Sequence, residues 1–332
     1  IVAVSAKLPR RGLAIALVLA LGVGNLLTAV AQSYSTLMAA RFIAGLPHGA
    51  YFGVASLIAA SLVPPQRRGR AVSMVMLGLA VANVVGVPAA TWLGQQLGWR
   101  TAYIAVVLIT LATAALVLTF VPHSPADRDA GIRTELSALR RPQVWLTLAI
   151  GTVGFGGMFA MYSYIAPVVT DVTGQSKGFI PFVLLAFGVG GIAGTALGGR
   201  LADLAALRSL MAAIIATGVL LVIFTQVAQY AVGLVVTVFL VSTAASVLVV
   251  CLQMRLMDVA GSAAMLGAAL NHSSLNAANA LGAWLGGAVI AGGLAYTAPA
   301  AVGAALAAAG LAILAVSGWL FRGERLSLSL AH

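Results

Sequence analysis

The sequence predicts an all-α protein embedded in a lipid bilayer, and three observations carry the prediction: its composition, the spacing of its charges, and the side on which those charges fall. Of 332 residues, 61% are hydrophobic and 8% are charged, whereas soluble domains run at roughly 45–50% and 25%. A water-soluble globular protein is thereby excluded. Stretches free of Asp, Glu, Lys and Arg cover 12–40, 42–66, 71–99, 101–126, 142–170 and 178–199, each long enough for one helix of about 20 apolar residues. Two longer stretches, 209–254 and 259–321, require two spans each, divided near Gln229-Tyr230 and Tyr296-Thr297. Ten complete spans result. Runs such as VLLAFGVGGIAG and LVVTVFLVSTAASVLVV lack the apolar–polar alternation that a membrane barrel needs, so the backbone must satisfy itself within helices.

The formal net charge of +11 points to lipid and not to nucleic acid, because the basic residues are sorted by side. Lys7, Arg10, Arg11, Arg67, Arg68, Arg70, Arg128, Arg133, Arg140, Arg141, Arg200, Arg208, Arg255, Arg322 and Arg325 fall at alternate span ends, and only Arg100 and Lys177 fall at the others. That asymmetry makes the basic loops cytoplasmic, where they attract anionic lipid head groups. The single cysteine, Cys251, lies mid-span and leaves the redox compartment undetermined. Residues IVAVSA at the start have neither the length nor the basic flank of a signal peptide; they read as the end of a helix begun upstream.

An internal repeat sets the organisation. VAVSAKLPRR (2–11) and GRLADLAALR (199–208) each close a span on the cytoplasmic side, and Asn83 and Gly86 recur as Asn279 and Gly282. Two six-helix units are the economical reading. The expected division is a first bundle over 1–121, a cytoplasmic linker over 122–143 carrying Pro122, Pro125 and Pro142, and a second bundle over 144–332. By the repeat, the first bundle is expected to lack its first helix and most of its second.

Several segments resemble the major facilitator superfamily. They are the G-x-L-A-D turn at 199–203, R-x-x-x-G at 41–45, and a fifth span rich in glycine and proline. Within that superfamily, LPRRGLAIALVLALGVGNLLTAVAQSY, LPHGAYFGVAS, GVPAATWLGQQLGWR and LNHSSLNAANALGAWLGG are similar to the bacterial drug:proton antiporters that include arabinose and purine efflux permeases. The resemblance spans nearly the whole chain. It implies the major facilitator fold, a multi-pass location in the bacterial cytoplasmic membrane, a monomer, and proton-coupled efflux of small neutral or weakly polar organic molecules. Facilitated or proton-driven uptake stays open, as does a sensor without transport. A membrane-embedded enzyme would cluster acids, histidines or serines at one depth, and here the acids are dispersed at helix ends, so no catalytic residue is expected.

Candidate functional residues follow from charge and polarity inside apolar spans. Arg41, Gly45, His48 and Phe52 share one helix face. Either Arg41 snorkels to the outer head groups while His48 bonds a neighbouring helix, or, as the resemblance implies, Arg41 serves proton coupling with His48 nearby. A fixed cation there would favour the ionised form of an adjacent carboxylate. Asp127, Asp129, Glu135, Asp171, Asp203, Asp258 and Glu324 all lie at span ends or in loops; the resembling exporters often place acids in the first helix, so the resemblance implies that the carboxylate lies in that helix, expected upstream. His272, Asn276 and Asn279 follow i, i+4, i+7 spacing; with Asn83, Gln253, Phe155, Phe159, Tyr162 and Tyr164 they suggest a polar, uncharged substrate path, interhelical hydrogen bonding being the alternative.

Gating is expected at the small residues and cytoplasmic turns. Gly78, Gly86 and Pro88 resemble the exporters' antiporter signature, although Val87 separates the glycine from the proline. The sequence reads equally as tight packing with a kink. Asp203, Arg208, Arg10 and Arg11 mark the turns; the resemblance implies that Asp203 faces the amino end of a neighbouring helix, or an arginine, when the transporter opens outward. Simple positive-inside anchoring is the alternative for the arginines. No metal or cofactor is expected, since two histidines without cysteine or carboxylate neighbours make a poor zinc site. GQSKG at 174–178 and GVGGIA at 188–193 match hydrolase and dinucleotide motifs only literally, having no strand beside them.

Overall fold

A computed structural model describes residues 8–123 and 132–330. The start of the chain, where the end of an earlier span is expected, and Asp127 and Asp129 of the linker lie outside the described residues. Among those described, eight helical stretches are long and apolar enough to cross a membrane. Two of them carry two spans each: Lys177–Val227 breaks at Ala205 (φ −163°, ψ 74°), and Ala231–Ala291 turns at Gly261 (φ 59°). The ten spans read from the charge gaps are therefore present.

In chain order the first half contains α1 (Arg10–Val30), α2 (Tyr34–Ser61), α3 (Arg68–Val81), α4 (Val87–Leu97) and α5 (Trp99–Phe120). α2 starts at a capping box in which Ser33 Oγ accepts from Thr36 N at 3.2 Å and Thr36 Oγ1 accepts from Ser33 N at 3.1 Å, filling two amide positions that a helix start leaves open. α3 and α4 form one span joined by a π-helical stretch, Ala82–Gly86. Pro88, two residues past its end, has no N–H to return to Val84, so the helix widens where the ladder loses that bond. The kink anticipated at Pro88 is thus taken up as a π-bulge upstream of it.

The second half contains a short linker helix α6 (Ile132–Ser137), α7 (Pro142–Tyr162), α8 (Ile180–Val227, in two arms), α9 (Ala231–Ala260), α10 (Ala264–Ala291) and α11 (Ala298–Leu330). Lipid removes most of the hydrophobic drive between helices, so close backbone approach has to hold them. The glycine ridge of the first arm of α8 does this. A Cβ on Gly190, Gly194 or Gly198 would run into Phe239, Thr243 or Val247 of α9. α7 meets α11 in the same way at Gly157–Gly303 and Gly154–Gly310. The fully buried Leu210, Leu234, Leu248, Leu252 and Leu256 complete this core.

The two halves meet along two seams. In one, α2 packs on α10, where a Cβ on Gly53 would stand 2.9 Å from the Met265 carbonyl oxygen and 3.1 Å from the Ala269 methyl. In the other, α3 packs on the first arm of α8, where a Cβ on Gly69 would stand 2.7 Å from the Gly199 carbonyl oxygen. The first seam lies toward the cytoplasmic ends of its helices, given the positive-inside orientation, whereas the second continues outward to Gly188, where a Cβ would run into Val84.

Candidate functional site

The first seam borders a cavity of about 740 Å³ whose walls include Arg41, Gly45 and His48 of α2 and His272, Ser273 and Asn276 of α10. The helical periodicity of α2 brings Arg41, Gly45 and His48 onto this wall together. Phe52, one turn further, leaves the cavity and covers the His272 ring at 4.1 Å between centroids. The two imidazoles, one from each half, stand 6.1 Å apart and nearly perpendicular. Arg41 is exposed, and its guanidinium carbon lies 5.4 Å from the Tyr103 ring centroid of α5. Among the described residues lining the cavity there is no carboxylate.

His272 is 7% exposed and its Nε2 has no hydrogen-bond partner. Ser56 Oγ and the side-chain amides of Gln253 and Asn271 are likewise buried without partners. Such atoms cost free energy while dry and unpaired. Ser56 lies one turn beyond Gly53 on the seam. Asn271 was not among the residues singled out in the sequence, because it falls about 100° off the His272–Asn276–Asn279 stripe and a helical wheel alone does not say which face meets a neighbour.

The remaining candidates separate into different surroundings. Asn276 lines the cavity, whereas Asn279 and Asn83 are exposed and are not among the lining residues. Phe155 and Phe159 meet edge to face at 5.2 Å, and Tyr162 lies over Phe187 at 4.3 Å, all within the second-half core. Tyr164 donates to the Ala283 carbonyl oxygen at 2.8 Å. The aromatics thus pack α7 against its neighbours. Gly78 has open space around it, and a Cβ on Gly86 would touch only Ala82, so neither supports a close helix approach here.

At the cytoplasmic turns, the Asp203 side chain is 5% exposed. Its Oδ1 accepts from Gly69 N at 2.6 Å, its Oδ2 from Arg70 N at 3.3 Å, and Oδ2 pairs with Arg70 Nε at 3.4 Å. The carboxylate thus meets both partners anticipated for it, a helix amino end and an arginine, and they belong to the same residues at the start of α3. Charge, helix dipole and hydrogen bonding act in one direction there. Arg11 reaches the His123 ring and the Leu118 carbonyl oxygen at the end of α5. Arg10 borders a second cavity, about 390 Å³, with Ser61, Arg68, Asp258, Gly261 and Ala264. Arg208 is exposed.

Comparison with known proteins agrees with this architecture. The Major Facilitator Superfamily family model matches residues 1–283. The chain is 38% identical over 307 residues to the inner membrane transport protein YdhP of Escherichia coli K12, covering 92% of this chain and 78% of that protein. It is 36% identical over 199 residues to a chloramphenicol resistance protein of Streptomyces lividans, covering 59% of this chain and 51% of that one. A crystal structure of the Escherichia coli fucose:proton symporter FucP superposes with a TM-score of 0.76 at 16% identity, covering 94% of this chain and 85% of that one. The chain belongs to the major facilitator superfamily and is a secondary transporter, not an enzyme, that crosses the bacterial inner membrane many times and carries a small molecule.

Proposed function

We propose that this transporter exports small neutral or weakly polar organic molecules in exchange for protons, acting as a monomer by alternating access between a first bundle (1–121) and a second (144–332) joined by the linker 122–143. The observation that carries the reading is the cavity between α2 and α10, where one fixed cation, two imidazoles and an amide face a space without a carboxylate among its described walls. Such walls offer hydrogen-bond donors to an acceptor-bearing guest and no counter-charge to a cation. Arg41 and His48 are assigned to proton coupling, His272 and Asn276 to the guest.

The contacts at Asp203 favour a cytoplasm-closed, outward-facing arrangement. The unpaired atoms of Ser56 and His272 at the seam fit alternating access as well, since separation of the bundles would return them to water or substrate. Resemblance to a chloramphenicol resistance protein supports export over uptake.

Proteoliposomes loaded with candidate drugs, sugars or nucleosides test the proposal. Release of a guest driven by an imposed pH gradient and abolished by a protonophore is expected. Accumulation in the direction of proton flow would establish uptake instead, and exchange indifferent to the gradient would remove proton coupling.

A further inference from the structure

The linker contains a carboxylate whose position no part of the transport reading uses. Glu135 of α6 is 3% exposed, and its Oε2 accepts from Leu266 N at 3.0 Å. Leu266 is the third residue of α10, so the carboxylate occupies the amino end of that helix, where unpaired amides and the helix dipole favour negative charge. Six residues further along the linker, Arg141 Nη1 donates to the Val259 carbonyl oxygen at 3.1 Å. Val259 lies in the last turn of α9, where the dipole favours a cation. An anion and a cation from one segment therefore hold opposite ends of a single helix–turn–helix corner.

That corner turns at Gly261, whose φ of 59° suits glycine, and a Cβ there would stand 2.6 Å from Arg141 Nη1. Ala138, Ala260 and Ala263 pack beneath it, all fully buried. The corner also faces the first half: Asp258, Gly261 and Ala264 share the smaller cavity with Ser61 and Arg68. The residues gripped by the linker thus adjoin those that face the first bundle: Leu266, held by Glu135, lines the larger cavity with His48.

We propose that Glu135, assisted by Arg141, is a positioning residue for the cytoplasmic gate, holding the α9–α10 corner in the shape that closes against α2 and α3. The proposal rests on the alternating-access reading. Only the closed state requires a shaped corner; the open state leaves it in water. Loss of the clasp lowers the fraction of corners competent to close and so shifts the population toward the cytoplasm-open state.

The test uses the full chain in inside-out membrane vesicles, with Cys251→Ser to remove the native thiol and Ala60→Cys as the reporter, a position 4% exposed in this structure and on the wall of the smaller cavity, labelled by a membrane-impermeant maleimide. Glu135→Gln is expected to raise the labelling rate about fivefold or more, and Glu135→Asp, which keeps the charge, to recover part of the difference. A structural role alone would lower protein yield and leave the rate per folded molecule unchanged. An unchanged rate in Glu135→Gln overturns the proposal, provided the parent protein transports and its labelling responds to the proton gradient. If the parent does neither, it is the alternating-access reading that fails. Where Glu135→Gln is lost from the membrane, Arg141→Gln read in the same way decides.

Discussion

Asp203 and Gly69, 134 residues apart in the chain, are joined by a 2.6 Å hydrogen bond from the Gly69 amide to the Asp203 carboxylate. A side chain at Gly69 would occupy the space this bond uses, its Cβ falling 2.8 Å from Asp203 Oδ1. The pair ties the α8 turn to the start of α3 and therefore one half of the molecule to the other. Hydrogen bonds to a charged group contribute roughly 1.5–3 kcal/mol, comparable to the few kcal/mol that separate two transporter conformations.

Asp203→Asn retains the shape and one acceptor while removing the charge that Arg70 and the α3 amino end favour. We expect the cytoplasm-open population to rise about tenfold, the equivalent of roughly 1.4 kcal/mol, measured as faster maleimide labelling of a cysteine at the buried position Ala60. Unchanged labelling would show that the Asp203 charge does not hold the cytoplasmic side closed.

The spans could be read from the sequence because a charge in lipid is costly and the gaps between charges record the bilayer. The α8 glycine ridge was equally legible, since close packing in lipid leaves few alternatives for glycines spaced four apart. Surroundings across the molecule were not. Phe155, Phe159 and Tyr162 read as path residues because an aromatic in a span looks the same whether it faces a cavity or a neighbouring helix. Glu135 could be placed only as a charge at a span end or in a loop, because its partner is a backbone amide 131 residues away. Gly53 could not be told from Gly45 and Gly49, which share its four-residue spacing but have open space beside them.

Gly53→Leu tests the first seam. The Cβ alone would stand 2.9 Å from the Met265 carbonyl oxygen, and a backbone atom of α10 yields less readily than the end of a side chain. The two halves should therefore be unable to close at α2–α10. Expected results are a protein that inserts and is stable in detergent but shows fast labelling at Ala60→Cys, a position buried in this structure, and at least tenfold slower exchange, since overpacking costs about 1–3 kcal/mol in the closed state alone. Normal exchange would show that this seam is not closed during the cycle.

His272 and Asn276 both border the cavity, but only His272 also belongs to the seam, lying against Phe52. Asn276→Ala is therefore expected to change substrate preference alone, by about three- to tenfold for guests with hydrogen-bond acceptors, with the apparent affinity changing more than the maximal rate. His272→Ala should alter both preference and the rate of exchange. Competition profiles across drugs, sugars and nucleosides measure the first effect, and identical profiles for wild type and Asn276→Ala would exclude that amide from recognition.

Arg41 carries the last prediction, because two physical roles for it diverge under substitution. Its contact with Tyr103 amounts to about 0.5–1 kcal/mol at an exposed site, too little to justify a guanidinium in lipid on packing grounds. If its charge biases proton movement through the cavity that it shares with His48, Arg41→Ala should abolish gradient-driven transport while substrate exchange continues, and Arg41→Lys should restore part of the drive because a cation is kept. If instead the side chain only reaches the outer head groups, Arg41→Ala should reduce the amount of inserted protein and leave the drive per molecule intact. Tyr103→Leu separates packing from charge: it removes the aromatic face but no charge, so the coupling role requires it to transport nearly as wild type. Gradient-driven release and gradient-free counterflow, measured on the same reconstituted preparations, distinguish these outcomes.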